Sequence, residues 1–320
     1  MRTADRHIAQ GGGERAERCA PEVAAITVTY NPDIAILARQ LDQLPAHCGK
    51  IWVDNASAPD LLLGMRALAT GRDDVVVVVN PCNAGLAAAL NQGARAARQA
   101  WPECRFILML DQDTETGVGG LEALLAEYDR LAATHPRLGC IGPRMVDAQT
   151  GLEHGFHQIS GCRWVRRYAV DAESLPVANL NGSGTLVRLD LFEALGGLDE
   201  DFFIDHVDTA WSFRVLDAGY ELRGVPGIAF RHRMGERSIR FWLLGWRVWP
   251  YRSPVRHRYL FRNTVRLLRR PGVPFCWKAW APVKLAVTVV VHLLFDQARG
   301  AQLRAMWGGL RDGMYIGETV

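Results

Sequence analysis

Short apolar runs alternate with longer segments of helical spacing along the first third of the chain. The predicted strands are Val23–Tyr30, Lys50–Val53, Val75–Val79 and Phe106–Leu110, and the predicted helices are Ile34–Leu44, Leu61–Ala69 and Ala84–Ala100. Apolar runs that alternate with helices are typical of βαβ units, whose strands pair in parallel. The pattern therefore predicts an α/β fold with a mainly parallel sheet flanked by helices.

Polar residues follow each predicted strand. These clusters are Thr29-Tyr30-Asn31, Asp54-Asn55, Asn83-Ala84-Gly85 and Asp111-Gln112-Asp113. Such residues are also ordinary turn formers, but the carboxyl ends of parallel strands meet at one sheet edge, where ligands bind. No G-x-G-x-x-G motif follows the first strand, which counts against a dinucleotide-binding Rossmann domain. The clusters together favour a nucleotide site.

Two of these clusters indicate how a nucleotide would be held. Asp54 could accept a hydrogen bond from the N3–H group of a pyrimidine. Gly85 precedes a predicted helix, so an anion could approach the backbone closely at that point. These residues favour a nucleotide with a base on one side and phosphates on the other.

Asp111 and Asp113 are two residues apart at the end of the apolar predicted strand Phe106–Leu110. Side chains at positions i and i+2 leave a strand on the same side, so both carboxylates can face one ligand. Mg²⁺ and Mn²⁺ prefer oxygen ligands and often bridge to substrate phosphates. A strand-to-turn junction capped by aspartates is the alternative interpretation.

Bulk composition sets only broad limits. A chain of 320 residues with a formal charge of +3 can form one large α/β core with an appendage. Seven cysteines without a C-x-x-C pair argue against a disulfide framework or a zinc site, and indicate a reducing compartment. Residues 1–22 are predicted to be a disordered tail, because the segment is polar and Gly-rich and lacks the apolar core of a signal peptide.

A second acidic cluster lies in the segment from Asp205 to Trp211. A helix is predicted from near Asp205 to Ala218, with Gly219 as the residue after its C-cap. Asp208 would lie in the first turn, where the helix dipole favours its ionised form, and it could serve as a general base. The alternative is that the two aspartates only cap the helix.

The C-terminal region is rich in tryptophan and arginine. Trp242, Trp246 and Trp249 have the spacing of one helical face and alternate with arginines, which suits the headgroup boundary of an anionic bilayer. A Trp-rich core face is an equally good interpretation, and nucleic-acid binding is a weaker one. The apolar segment Ala279–Phe295 is shorter than a spanning helix, so a buried or interfacial helix is predicted.

The order and spacing of the motifs resemble the inverting family 2 glycosyltransferases of GT-A fold, and most of all the bacterial rhamnosyltransferases that use dTDP-L-rhamnose. The segments that carry the resemblance are VTYNP, VDNAS, NAGLAAALNQG, LDQDT, NGSGTLV, FFIDHVDTAWSFR and RHRMGE. They extend over roughly Val23 to Arg270, and LDQD and FIDHVD are fairly specific for this subgroup.

The resemblance implies a role for each motif residue. Asp208 would take the acceptor proton, while Asp113, Asp111 and His232 would hold a divalent cation, Mg²⁺ or Mn²⁺. The nucleotide-sugar would contact Thr29, Tyr30, Asn31, Asp54, Asn55, Asn83, Gly85 and Asp111; the acceptor would contact Ser183, Gly184, Asp205 and Trp211; Arg233 and Arg237 would neutralise the departing diphosphate. Many relatives have an acidic residue where this chain has Ala210, so one contact to acceptor or metal would be missing.

The expected organisation is a GT-A catalytic domain over residues 23–238, with a donor half (23–115) and an acceptor half (116–238), followed by a helical Trp/Arg-rich region (239–320). The resemblance implies transfer of L-rhamnose to a saccharide or lipid-linked saccharide in bacterial surface polysaccharide biosynthesis, at the cytoplasmic face of the inner membrane. No nucleic-acid partner is expected, and the oligomeric state is left open. The alternatives are a UDP-sugar donor and a catalytically inactive GT-A scaffold.

Overall fold

The computed structural model describes residues 20–168, 173–233, 238–242 and 246–315. Its strands are β1 Val23–Thr29, β2 Gly49–Asp54, β3 Val75–Val79, β4 Phe106–Asp111, β5 Thr114–Glu115, β6 Leu138–Asp147, β7 Glu153–His154, β8 Phe156–Ser160, β9 Arg163–Arg167, β10 Leu175–Pro176, β11 Leu186–Arg188, β12 Glu221–His232, β13 Ser238–Trp242 and β14 Trp246–Pro250. Its helices are α1 Ile34–Gln43, α2 Pro59–Ala69, α3 Leu86–Ala100, α4 Gly120–Ala132, α5 Leu189–Ala194, α6 Val207–Asp217, α7 Pro254–Arg269, α8 Phe275–Phe295 and α9 Arg299–Met314, with a 3₁₀ turn at Glu200–Phe202. The predicted βαβ alternation of the first third is confirmed, and residues 1–19 of the predicted disordered tail lie outside the described residues.

Most of the described strands form one mixed sheet. Its main path runs β10-β12-β6-β11-β4-β1-β2-β3, while β5 pairs with β12 and β7 with β6. Strands β4, β1, β2 and β3 are parallel, and β11 lies antiparallel beside β4. The carboxyl ends of the four parallel strands therefore share one edge, as the sequence predicts.

The central strands are apolar on both faces because helices cover both sides of the sheet. Ile26, Ile51 and Leu108 are fully buried. Gly93 on α3 faces the side chain of Ile26, where an added Cβ would come within 2.3 Å. Helix α3 therefore packs closely against the strands whose ends form the predicted site.

The C-terminal helices share the core of the sheet domain. Leu267 on α7 and Trp277 on α8 belong to the same buried cluster as Trp211 and Phe213 on α6. The Asn263 side chain donates hydrogen bonds to the carbonyls of residues 204 and 205, at 2.9 and 2.8 Å. Helix α7 thus supports the loop that precedes α6.

The prediction that Trp242, Trp246 and Trp249 share one helical face is wrong. They lie in an antiparallel pair of strands, in which Trp242 is opposite Trp246 and Trp249 is opposite Ile239. β-branched and aromatic residues are common in both strands and favour strand structure, which competes with the helical spacing of the tryptophans. The helical part of the C-terminal region begins at α7, where Ser253 caps the helix by accepting a hydrogen bond from Arg256.

Helix α8 is longer than the predicted Ala279–Phe295 segment. It has 21 residues and is, in the described part of the chain, the one helix long and apolar enough to cross a membrane by length and composition. Its buried side, with Trp277 and Leu285, packs on the protein. Its other side is exposed and apolar over Phe275, Val283, Val287, Val290 and Leu294. We call this the apolar face of α8.

Candidate active site

Asp111, Asp113 and His232 converge at the carboxyl edge of the sheet. Their ligand atoms all lie within 4.8 Å of one another. His232 Nδ1 is 3.2 Å from Asp113 Oδ1, and His232 Nε2 is 3.9 Å from Asp111 Oδ2. The sequence motif supplies the two carboxylates, while the imidazole arrives from β12 through the pairing of His232 with Thr114 on β5.

Buried hydroxyl groups hold this cluster in place. Ser183 Oγ accepts a hydrogen bond from the Asp111 amide at 3.0 Å and lies 2.7 Å from Thr114 Oγ1. Thr114 Oγ1 in turn lies 2.9 Å from His232 Nδ1. Ser183, predicted to contact the acceptor, is only 2 % exposed and therefore supports the loop of Asp111 and Asp113.

The cluster contains more acidic groups than basic ones: two carboxylates and one imidazole. Desolvation, together with the neighbouring charges of Asp113 and Asp208, raises the pKa of Asp111, against the opposing effect of His232. Burial lowers the pKa of His232, but its hydrogen bond to Asp113 and the charges of both carboxylates outweigh that and raise it. A positive charge bound nearby would reduce the electrostatic repulsion between carboxylates held this close.

The donor set fits a divalent cation. Two carboxylate oxygens and one imidazole nitrogen match the preferences of Mn²⁺ and are compatible with Mg²⁺, whose remaining positions can be taken by water and phosphate oxygens. Burial, and then the charges of the neighbouring carboxylates, raise the pKa of Asp111, and a bound cation would offset both effects by stabilising the ionised form. Asp111, Asp113 and His232 would hold the ion.

Gln112, between the two aspartates, joins the ends of β1 and β4. Its side-chain oxygen accepts from the Tyr30 amide at 2.7 Å, and its side-chain nitrogen donates to the Tyr30 carbonyl at 3.3 Å. Tyr30 itself is half exposed at the mouth of the cleft. Asn31 follows with a left-handed φ of 49° and accepts a hydrogen bond from Ala58. The predicted donor residues on these two strands are therefore brought together.

Asp54 is fully buried at the end of β2. Its carboxylate accepts hydrogen bonds from Thr29 Oγ1 at 3.0 Å and from the amide and hydroxyl of Ser57. The contact between Asp54 and a pyrimidine base remains a prediction. The base would donate to a carboxylate lone pair that the hydrogen bonds from Thr29 and Ser57 leave free. No role is predicted for Ser57 from the sequence, although it is the last residue of the VDNAS segment.

Asn55 connects the second and third strand ends. Its side chain donates to the Gly85 carbonyl at 3.2 Å and accepts from Asn80 at 2.9 Å. Asn83 accepts a hydrogen bond from the Gly85 amide at 2.9 Å. These asparagines fix the turn that leads into α3.

Gly85 packs against Phe203, in the loop before α6. It has a φ of 88°, and an added Cβ would lie within 2.6 Å of the Phe203 ring. The first amide of α3, that of Leu86, donates to the Phe203 carbonyl at 2.6 Å. The close approach predicted for a ligand is therefore made, on this side, by the loop before α6.

Asp208 lies in the first turn of α6, as predicted. The helix begins later than expected because Asp205 and His206 both have left-handed backbone, with φ of 62° and 64°. Such angles are costly for residues other than glycine and persist only where surrounding structure imposes them. Gly219, with φ of 78°, follows the C-cap as the sequence predicts.

Burial raises the pKa of the Asp208 carboxyl, and the nearby charge of Asp205 raises it further, while backbone hydrogen bonds from Thr209 and Gly182 lower it. The amide of Thr209 donates to Asp208 Oδ1 at 2.8 Å. Asp208 is also one of the charges that raise the pKa of Asp111. Asp208 also lies beside Gly182, where an added Cβ would come within 3.5 Å of the Asp208 Cβ. The next residue, Ser183, accepts a hydrogen bond from the Asp111 amide, so Asp208 lies near the cluster.

Asp205 is an ion-pair partner within the protein. Its side chain is 6 % exposed, with Arg256 Nη2 at 2.8 Å and Arg252 Nε at 3.4 Å from Asp205 Oδ1. These two arginines hold the pKa of Asp205 below its usual value despite its burial. Through these ion pairs, Asp205 links the loop before α6 to the C-terminal region. Contact of Asp205 with an acceptor stays a prediction.

The prediction that Trp211 contacts the acceptor is wrong. Its side chain is 3 % exposed, belongs to the main core, and packs against Phe192 with ring centroids 5.0 Å apart. Trp211 is three residues after Asp208 on α6, and it faces the sheet because α6 packs its apolar side against the core. Gly184, with φ of 86°, forms the turn beneath the cleft, where an added Cβ would come within 2.8 Å of Pro143.

The predicted diphosphate arginines are only partly described. Arg233 is exposed directly after His232, so it lies at the edge of the metal cluster. Arg237 lies outside the described residues. Contact of Arg233 with a diphosphate stays a prediction.

The fold and the site together define the class of protein. The structure is similar to GalNAc-T7 with UDP, GalNAc and Mn²⁺ (TM-score 0.56, 16 % identity, 85 % of this chain and 58 % of that one). It is also similar to the mannosyltransferase PcManGT of Pyrobaculum calidifontis with GDP-Man and Mn²⁺ (TM-score 0.53, 15 % identity, 93 % and 88 %). The chain has the GT-A glycosyltransferase fold.

Sequence comparison identifies a known domain in part of the chain. Residues 25–143 match the family "Glycosyl transferase family 2". The chain is 29 % identical over 255 residues to the "dTDP-rhamnosyl transferase RfbF" of Shigella flexneri, covering 79 % of this chain and 81 % of that protein. It is 27 % identical over 172 residues to an "N-acetylglucosaminyl-diphospho-decaprenol L-rhamnosyltransferase" of Mycobacterium tuberculosis, covering 48 % and 54 %. The chain therefore carries a glycosyl transferase family 2 domain and is a glycosyltransferase.

Proposed function

We propose that this protein transfers L-rhamnose from dTDP-L-rhamnose to a saccharide or lipid-linked saccharide acceptor in bacterial surface polysaccharide biosynthesis, with inversion at the anomeric carbon. The observation that carries the proposal is the juxtaposition of a cation-binding cluster, Asp111, Asp113 and His232, with a separate carboxylate, Asp208, whose charge reaches Asp111. The cation-binding cluster would stabilise the leaving diphosphate, and Asp208 would take the proton of the attacking hydroxyl.

Asp208 would act as the general base. Its raised pKa makes it a stronger proton acceptor than an ordinary aspartate, and the hydrogen bond from the Thr209 amide fixes one of its oxygens. The acceptor oxygen would bond to the anomeric carbon as its proton passes to Asp208, while the bond from that carbon to the diphosphate oxygen breaks with its electron pair. A divalent cation bound at the cluster would supply charge stabilisation for the departing nucleoside diphosphate.

The choice of donor rests on the relatives. The two proteins named above are rhamnosyltransferases, and one of them is named for dTDP. Tyr30 at the cleft mouth and the buried Asp54 below it suit a pyrimidine nucleotide, which both dTDP and UDP carry. A UDP-sugar donor is therefore the competing outcome of the test below.

Nucleotide selectivity tests the donor. Thermal unfolding should be measured with dTDP, UDP and GDP, each with and without Mn²⁺. dTDP with Mn²⁺ is expected to give the largest stabilisation, about 2.7 kcal/mol at 100 times its Kd, because the ligand binds only the folded chain. An equal response to UDP would contradict the dTDP assignment. Failure of all three nucleotides would favour the inactive scaffold.

We also propose that the enzyme is peripheral on the cytoplasmic face of the inner membrane, bound through the apolar face of α8. Val283 and Val290 on this face are 50 % and 52 % exposed, and the five residues that define it are uncharged, with the exposed Lys284 beside them. A continuous exposed apolar strip on one side of a long helix is a candidate for the headgroup–acyl boundary. Four arginines line the groove between α7 and α9, namely Arg258, Arg262, Arg304 and Arg311, and would favour anionic lipid.

Sedimentation with anionic vesicles tests this docking. The double variant Val283→Glu, Val290→Glu is expected to lower vesicle binding on the order of a hundredfold, because each buried valine contributes roughly 1.5–3 kcal/mol and a charge opposes insertion. Leu63→Glu on α2 is the matched control, since Leu63 is 65 % exposed on a different helix. Equal binding by wild type and the double variant would contradict docking through α8.

A further inference from the structure

A buried glutamine on α1 holds the turn that carries Asp113. Strand β4 ends at Asp111 and β5 begins at Thr114, so Gln112 and Asp113 form a two-residue connection between the two strands. The side-chain nitrogen of Gln40 donates to the Asp111 carbonyl at 2.9 Å and to the Thr114 carbonyl at 2.7 Å. One amide group therefore bonds both ends of the connection. We call residues 111–114 the carboxylate turn.

The Gln40 amide is held in one orientation. Its two N–H groups are both used by the carbonyls of the carboxylate turn, and its oxygen accepts from Thr27 Oγ1 on β1 at 2.8 Å. The reversed orientation would place the amide oxygen against two carbonyl oxygens. Gln40 and Thr27 are each only 1 % exposed, so solvent water does not replace these bonds, and buried groups left without partners would be costly.

The contacts of Gln40 extend to every residue of the cation-binding cluster. Asp111 is bonded through its own carbonyl, and Asp113 lies between the two bonded residues. His232 pairs with Thr114 across β12 and β5, and its Nδ1 atom lies 2.9 Å from Thr114 Oγ1. A shift of the carboxylate turn would therefore move the two carboxylates relative to the imidazole.

A second glutamine of the same helix bonds the chain beyond the carboxylate turn. Gln43 Oε1 accepts from the Gly117 amide at 2.9 Å, and Gln43 Nε2 donates to Glu115 Oε2 at 3.3 Å. Arg39 pairs with the same carboxylate at 3.4 Å. Gln43 thus anchors the segment after the turn, and it offers a comparison of the same chemistry for Gln40.

We propose that Gln40 is a positioning residue for the cation: it fixes the carboxylate turn so that the cation-binding cluster is already arranged before the ion arrives. The inference rests on the cation site of the proposed function and adds to it a residue from a different element. Ligands of a bound ion must be held to within about 0.5 Å, which requires supporting hydrogen bonds. Loss of such outer partners typically lowers metal affinity by about 10–100-fold.

The test uses Mn²⁺ alone as the probe, without nucleotide, and measures free and bound ion by electron paramagnetic resonance. Gln40→Met keeps a long unbranched side chain but removes both donors. It is expected to raise the Kd for Mn²⁺ about tenfold or more and to change the spectrum of the bound ion, because the ligands are no longer held in one arrangement. Gln43→Met is the matched control and should keep the wild-type Kd.

Thr27 provides a second pair of variants that leaves Gln40 itself in place. Valine has the shape of threonine but cannot donate to Gln40 Oε1, whereas serine keeps the hydroxyl. Thr27→Val is expected to weaken Mn²⁺ binding several-fold, and Thr27→Ser should retain wild-type binding. This pair decides the question if Gln40→Met does not fold.

Three results would overturn the inference. Equal Kd values for Mn²⁺ in the wild type and Gln40→Met, with a lower unfolding temperature in the variant, would mean that Gln40 supports only the fold. An equal loss in Gln43→Met would assign the effect to the packing of α1 as a whole. Absence of Mn²⁺ binding in the wild type would remove the cation site and the positioning role together.

Because Mn²⁺ binding is measured without donor or acceptor, this inference is separable from the rhamnosyl assignment. If Gln40→Met weakens Mn²⁺ binding but the wild type transfers no rhamnose, the positioning role stands and the rhamnosyl assignment falls. If rhamnose is transferred and the two proteins bind Mn²⁺ equally, the positioning role falls and the assignment stands.

Discussion

Asp208→Asn is expected to lower kcat by about 10²–10⁴-fold while leaving nucleotide binding intact, because a positioned general base contributes rate enhancements of this size. Asparagine keeps the shape of the side chain, and its amide oxygen can still accept from the Thr209 amide. It cannot take a proton from the acceptor. Initial rates and dTDP calorimetry with Mn²⁺ measure the two effects.

The same variant should be more stable than the wild type near neutral pH. Burial raises the pKa of Asp208 in the folded state above that of an unfolded aspartate, so the ionised carboxylate destabilises the native chain at neutral pH. The variant lacks this cost, and its advantage should disappear as the pH falls through the folded-state pKa, where the wild-type carboxyl is protonated. Thermal unfolding across pH 4 to about 8 measures the difference.

Asp217→Asn is the control for both measurements, since Asp217 is an exposed carboxylate at the other end of the same helix. It should change neither rate nor pH dependence. Full activity in Asp208→Asn would remove Asp208 as the base. Lower stability of that variant at neutral pH would contradict the assigned cause of the raised pKa.

Asp113→Asn is expected to lower activity about 10³-fold and to abolish the stabilisation that Mn²⁺ adds to dTDP. A Lewis acid contributes several kcal/mol of charge stabilisation at a phosphate, and 1.4 kcal/mol corresponds to a factor of ten. Without metal the variant should fold normally, because the substitution removes one of the charges that raise the pKa of Asp111. Rates and thermal unfolding over a Mn²⁺ titration test this.

Glu115→Gln provides the matched control, because this carboxylate lies two residues further along the chain and pairs with Arg39 at 3.4 Å instead of joining the cluster. It should retain its Mn²⁺ response. A Mn²⁺ response in Asp113→Asn equal to that of the wild type would show that the cation binds elsewhere.

The C-terminal region supports the loop that precedes Asp208. Arg256 holds Asp205, and Asn263 holds the carbonyls of the loop that carries the two left-handed residues before Asp208. Strained backbone is maintained by such surrounding contacts. Helix α7 therefore determines where α6 begins, and with it the position of Asp208.

Local pattern was sufficient to predict the donor half of the fold. The strands before Asp54 and Asp111 are short apolar runs with polar ends, and a parallel sheet aligns those ends whatever the helices between them do. Periodicity failed at Trp242, Trp246 and Trp249, where helical spacing coincided with residues that favour strands and the strand pairing prevailed.

By itself the sequence determined the parallel α/β sheet, the Asp-x-Asp pair, and the position of Asp208 in the first turn of a helix, because each depends on neighbours within a few residues. Only the tertiary structure decided how distant residues meet. It joined His232 to Asp113, paired Asp205 with Arg252 and Arg256, and buried Trp211 in the core. These contacts link positions far apart in the chain, and the packing of β12 and of the C-terminal helices on the sheet domain is what creates them.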